Sequence, residues 1–258
     1  MTPSTCPKCG HRRGLQDGHV HPGICPACGI AMGKWRARQM DEVQVHGANA
    51  ATLPGQRDDT GAGAREYLLA LPPRTDKLSL YGRAVLWLGL LLWGLWFLFQ
   101  GLDWEVIGGS FMHQINLPFH EFGHVLFMPF GRFMSILGGS LFQIALPIAL
   151  ALVFVIRQRD NFAASVCLWW CGQSWVDLSP YIADAPYRLL PLVGGMDESG
   201  HDWGNMLGIL GLTDWALTLA RCSFALGCLT MAAALFWGWQ VLLRQYRRGG
   251  GVGLSAGQ

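Results

Sequence analysis

Five apolar runs fill the chain from position 84 onward, at 84–99, 106–130, 133–156, 162–182 and 222–243. Each approaches the roughly 20 residues that a helix needs to cross a bilayer. Residues 1–77 follow a different pattern: they are polar, rich in Pro and Gly, and lack a sustained period. Only 64–71 reads as a short amphipathic helix, ended by Pro72-Pro73. The pattern divides the chain into an N-terminal module (1–33), a linker (34–77), a membrane domain (78–248) and a flexible tail (249–258). No cleavable signal peptide is expected, so the first apolar run must act as a signal anchor.

Charge placement refines the count of crossings. Arg74, Lys77 and Arg83 precede the first run and put the N-terminus in the cytoplasm, while Asp103 and Glu105 fall outside. Arg157-Gln158-Arg159 and the basic tail at 244–248 should both be cytoplasmic. Both can be inside only if one run between Phe99 and Arg157 does not cross. The run 106–130 is the one expected to stay on one side, because Gly108-Gly109, Asn116 and Pro118 interrupt it and Pro129 with Gly131 ends it. Irregular backbone at membrane depth is tolerated where it lines a watery cavity. The expected fold class is therefore an all-α polytopic membrane protein with about four spanning helices plus a re-entrant or fifth helix. Composition agrees: hydrophobic residues make up 51% and charged residues 14%, well below the quarter usual in soluble domains. The expected setting is the lipid bilayer, as an integral protein of a bacterial inner membrane. A formal net charge of +2, with no basic stripe, argues against nucleic acid as a partner.

Within the non-crossing run lies His120-Glu121-Phe122-Gly123-His124, the pattern H-E-x-x-H. Histidines four apart on a helix share one face, so both imidazoles can bind one zinc ion, with the Glu placed to act as general base. Ionisable groups in apolar segments are costly and usually functional. Zinc needs a third protein donor and an open position for water. The outward-opening topology brings three candidates to the same side: His201 and Asp184 together, then Asp177. Each has a plainer role: Asp177 can pair with Arg221, Asp184 can cap a helix end, and His201-Asp202 can belong to an exposed turn after Asp197. Alternatively, Asp202 orients the His201 imidazole as a supporting carboxylate. Gly138-Gly139-Ser140 suits close helix contact, and Gln143 offers an amide for an interhelical bond or a substrate backbone. Cys167, Cys171, Cys222 and Cys228 read as packing residues.

Near the N-terminus, Cys6-Pro-Lys-Cys9 and Cys25-Pro-Ala-Cys28, each followed by Gly, have the spacing of a four-thiolate zinc site. Each C-P-x-C-G forms a tight knuckle whose amides can bond the sulfurs, and the module resembles a zinc ribbon. Such a ribbon implies a structural zinc and a cytosolic partner.

With H-E-F-G-H in an apolar run and Asp177-Leu178-Ser179-Pro180 downstream, the membrane half resembles the site-2 protease family. These are polytopic zinc proteases that cut within or beside the membrane. The resemblance implies His120 and His124 as zinc ligands, Glu121 as base, a downstream Asp as third ligand, and a membrane protein or peptide as substrate. The family's Asp precedes Gly, whereas Asp177 precedes Leu178. Two rival expectations share the same residues: a zinc hydrolase of a lipid amide or ester, and a non-catalytic membrane adaptor built on the zinc ribbon.

Overall fold

Two similar knuckles build the N-terminal part of the computed structural model, which describes residues 5–35, 60–71, 76–193 and 198–251. Thr5 bridges to Arg12 and Ile24 to Ala31. In each knuckle the glycine after the second cysteine sits at positive φ (Gly10 at 73°, Gly29 at 71°) and donates its N–H to the first cysteine's carbonyl. The left-handed backbone, rather than any lack of space, is what calls for glycine there. The chain divides into two units, Met1–Asp59 and Thr60–Gln258. Most of the expected linker, Pro72-Pro73, Arg74, Asp197 and the tail from position 252 lie outside the described residues.

The second unit is helical. Helix α1 (Thr60–Leu68) covers most of the expected amphipathic stretch. Helix α2 (Lys77–Gln100) is capped by Asp76, and α3 (Trp104–Gly108) by Asp103. Ser110 caps α4 (Phe111–Phe127), accepting from the His113 N–H, and a 3-10 turn (Met128–Phe130) follows. Gly131, at φ 93°, reverses the chain into α5 (Arg132–Val153), which runs on through a π turn (Phe154–Gln158). Asp160 caps α6 (Asn161–Ala183), His201 caps α7 (Asp202–Leu210), and α8 (Ala216–Gly251) closes the chain.

Three helices are long and apolar enough to cross a membrane: Lys77–Gln100, Arg132–Gln158 and Thr213–Arg248. The sequence pattern also predicts a span at 162–182; α6, which covers it, is not among these three and is set apart by its burial. Sixteen of its 23 residues are buried, among them Asn161, Gln173, Ser174 and Asp177, so it is the interior hub on which the others pack. Its tightest crossing is with α8, where a Cβ on Gly172 would stand 2.7 Å from the Gly227 carbonyl oxygen. Gly172→Ala is therefore expected to cost about 1–3 kcal/mol through overpacking. A lower midpoint of thermal unfolding with unchanged metal content would show it.

The motif run also differs from expectation. The helix does not break at Asn116 or Pro118; the break falls at Gly109-Ser110, and α4 continues through Pro118. Asn116 is buried and satisfied by α6, accepting from Trp170 Nε1 and donating to Gln173 and Asp177, so it has no need to interrupt the helix. At 17 residues α4 is about 25 Å long, short of the roughly 30 Å hydrocarbon core.

Basic residues gather at one end of the bundle. Arg83 pairs with Asp160 at 2.7 Å and reaches Gln245, while Arg244 and Asn161 bond carbonyls in the last turn of α1 and just after it. The other end of α6, at Asp177, Tyr181 and Asp184, holds the candidate site.

Candidate metal centre

In the N-terminal unit all four cysteine sulfurs lie within 4.8 Å of one another, and the group can hold a metal ion. Cys6 Sγ is 3.8 Å from Cys28 Sγ and Cys9 Sγ is 3.7 Å from Cys25 Sγ, far beyond the 2.05 Å of a disulfide. Cys6 and Cys28 are driven in opposite directions. Desolvation alone would raise Cys6, but the amides of Cys9 and Lys8 outweigh it and hold its thiol down at about 6. At Cys28 the Ile30 amide pulls down, yet desolvation and the neighbouring thiols push it up to about 12. Four sulfurs this close cannot all be thiolates without a cation among them.

The second group forms where α4, α5, α6 and the start of α7 converge. His120 Nε2 and His124 Nε2 are each 3.2 Å from the same oxygen of Asp202, Oδ2, and the three side chains form a group that can hold a metal ion. The rings stand edge to face with centroids 4.9 Å apart, as the one-turn spacing on α4 dictates. Their other nitrogens are engaged: His120 Nδ1 lies 3.0 Å from Gln143 Oε1, and His124 Nδ1–H donates to the Ser135 carbonyl at 2.9 Å. Burial alone would raise the Asp202 carboxyl, but bonds to His120 and His124 outweigh it and hold it at about 2. It is thus an anionic donor. Tyr181 supports it, its hydroxyl oxygen accepting the Asp202 N–H at 2.9 Å.

Glycines let α5 approach this closely. A Cβ on Gly123 would be 2.2 Å from the Gly138 carbonyl oxygen, and one on Gly139 would be 2.6–2.7 Å from Nε2 of both histidines. The close contact expected of Gly138-Gly139-Ser140 is therefore with the motif helix itself. A cavity of about 840 Å³ opens beside the group, lined by Glu121, His120, His124, Asp202, Tyr181 and Arg132 among others.

None of the three expected third donors joins His120 and His124. His201 Nε2 faces Asp184 Oδ2 at 3.3 Å, while its Nδ1 caps α7 by accepting the Gly204 N–H, so its ring is turned fully inward. Asp184 also accepts from the Leu190 N–H, holding the loop end. Asp177 is buried behind Gln143 and pairs with His113 at 3.0 Å, not with Arg221, which is exposed. The carboxylate that does arrive is Asp202. The alternative in which Asp202 orients His201 is not what the contacts give: His201, the N-cap, meets Asp184, while Asp202 in the first turn of α7 meets His120 and His124 on α4. The signal in the chain is the acidic residue in the first turn of α7, which the helix dipole favours at an N-terminus. Among the described residues, Cys167, Cys171, Cys222 and Cys228 form no donor group.

Helices apolar enough for a membrane, a four-cysteine group and a His2Asp group beside a cavity thus occur in one chain. Comparison of the chain with known protein families, with curated proteins and with solved structures finds no match.

Proposed function

We propose that the chain is a membrane-embedded zinc metalloprotease, similar in its chemistry to the site-2 proteases, that hydrolyses peptide bonds in or near the bilayer. The observation that carries this reading is the convergence of His120, His124 and Asp202 on one point beside Glu121 in a sizeable cavity. The donors suit zinc: bonds of 2.0–2.2 Å in a tetrahedron give donor separations of about 3.4 Å, close to the 3.2 Å between each Nε2 and Oδ2. Three donors leave a fourth position open. The cysteine sulfurs suit a second, structural zinc, whose thiolates stand about 3.8 Å apart.

Zinc at His120, His124 and Asp202 would polarise a scissile carbonyl and acidify water. Glu121 then accepts the proton from the attacking water and hands it to the leaving amine. His120 and His124 stay in place through their Nδ1 contacts, and Asp202 offsets the ion's charge. A substrate helix must unwind locally to offer a carbonyl, and the cavity gives an extended stretch room to do so. The positive-inside rule sets the basic end of the bundle in the cytoplasm and the site toward the opposite face. In that orientation α6 serves as the fourth crossing and α4 as a helix that does not span. The zinc ribbon then lies in the cytoplasm, available to a partner there.

Metal analysis of the purified chain tests this. Two zinc ions per chain are expected, falling to one in His120→Ala/His124→Ala, with loss of hydrolysis of a dye-quenched transmembrane peptide in detergent. Two ions retained in that variant would refute the assignment.

A further inference from the structure

The sense of a hydrogen-bonded chain is set by members that act in one sense only. Trp170 is such a member, since an indole N–H can only donate, and its Nε1 lies 2.8 Å from Asn116 Oδ1. That contact orients the Asn116 amide, whose Nδ2 faces Gln173 Oε1 at 2.8 Å and Asp177 Oδ2 at 3.1 Å. The same Asp177 oxygen receives Gln143 Nε2 at 2.9 Å, while His113 Nδ1 lies 3.0 Å from the other oxygen. Turning the Gln143 amide over would set its carbonyl against a carboxylate oxygen. Gln143 Oε1 therefore faces His120 Nδ1, which must carry the proton. With an ion between His120 Nε2 and Asp202, that nitrogen would then present its lone pair to the ion. A reversed Gln143 would put the proton on Nε2, and that tautomer offers no electron pair to an ion there.

His124 needs no such chain, because the Ser135 backbone carbonyl that faces its Nδ1 can only accept. His120 has only a side-chain amide beside it, and an amide can present either end. Asn116, Gln143 and Asp177 are 0%, 3% and 4% exposed, so only a small part of Gln143 and Asp177 meets the cavity that they help to line.

We propose that Asp177 is a positioning residue for the metal centre, acting through Gln143 to hold His120 in the tautomer that presents Nε2 to a metal ion. This role presupposes that His120, His124 and Asp202 bind the ion. Asp177 then serves that centre from behind the ligands, in the manner of carboxylates that orient ligating histidines through an intermediary.

The test is zinc affinity of the full chain in detergent, measured by chelator competition, with the four-cysteine group as internal reference. Asp177→Leu frees the Gln143 amide and is expected to weaken zinc binding at the helical site by about 10–100-fold. Asp177→Ala, should leucine not be tolerated, likewise removes the acceptor that fixes the sense of Gln143 and is expected to weaken binding in the same direction. The decisive variant adds Gln143→Glu to either: a carboxylate at 143 can only accept from His120 Nδ1–H, so affinity should return to within about twofold of the parent. A wild-type chain holding two zinc ions, with full affinity in the Asp177 variants, overturns the role of Asp177 and leaves the metal centre standing. Weakened binding that Gln143→Glu does not restore overturns it as well, since Asp177 would then act by another route. A wild-type chain holding only the cysteine-bound ion overturns the metal centre itself, and this role with it.

Discussion

Glu121→Gln is expected to keep both zinc ions and to lose hydrolysis by a factor of about 10²–10⁴, the range that a positioned general base supplies. The side chains are nearly the same size, so packing around α4 should not change. Glu121 is not among the donors that converge at the centre; those are His120, His124 and Asp202. The substitution therefore removes one property, the ability to take a proton, while leaving the ion and the cavity wall in place. The measurement pairs metal content with turnover of two probes in detergent, a dye-quenched transmembrane peptide and a lipid amide. Peptide cleavage by the wild type and none by Glu121→Gln supports the protease. Turnover of the lipid amide alone would move the same chemistry to a lipid hydrolase. Full peptide cleavage by Glu121→Gln would remove Glu121 from the mechanism.

The parts of this site that were legible in the chain are those set by local geometry. His120 and His124 share a helix face because 3.6 residues make a turn, and the cysteine knuckles follow from C-P-x-C-G with its left-handed glycine. The meeting of His120 with Asp202, 82 positions away, depends on how α7 packs against α4 and α5, and no local period encodes it. Adjacency misled as well: His201 and Asp202 look like partners in the chain, but one caps α7 and the other leaves from its first turn toward the motif. Asn116 is a similar case. A buried amide in an apolar run reads as a helix breaker until its partners on α6 are known. The apolar content of 162–182 resembles a lipid-facing span, although the polar residues on α6 are the ones that tie Asp177, Gln143 and Asn116 into the interior.

Gly139→Ala should empty the helical centre with a single methyl group. Helix α5 lies against α4 at Gly123 and Gly138, where either Cβ would press on a backbone oxygen, so the two helices have no room to move apart gradually. At Gly139 the added carbon would be 2.6 Å from His124 Nε2 and 2.7 Å from His120 Nε2. An ion bound to both nitrogens would stand about 2.0–2.1 Å from each, so a carbon pressed against both must push the imidazoles off the geometry that lets them close on one ion. Both imidazoles are held from behind, one by Gln143 and one by the Ser135 carbonyl, so neither ring can swing away without losing that bond. The expected result is a chain that holds one zinc ion instead of two and no longer cleaves the peptide probe, while the four-cysteine group stays loaded. Circular dichroism of Gly139→Ala should still report a helical protein, since the substitution raises helix propensity at that position. Two zinc ions in Gly139→Ala would mean that the centre does not sit between α4 and α5, against the α5 glycines.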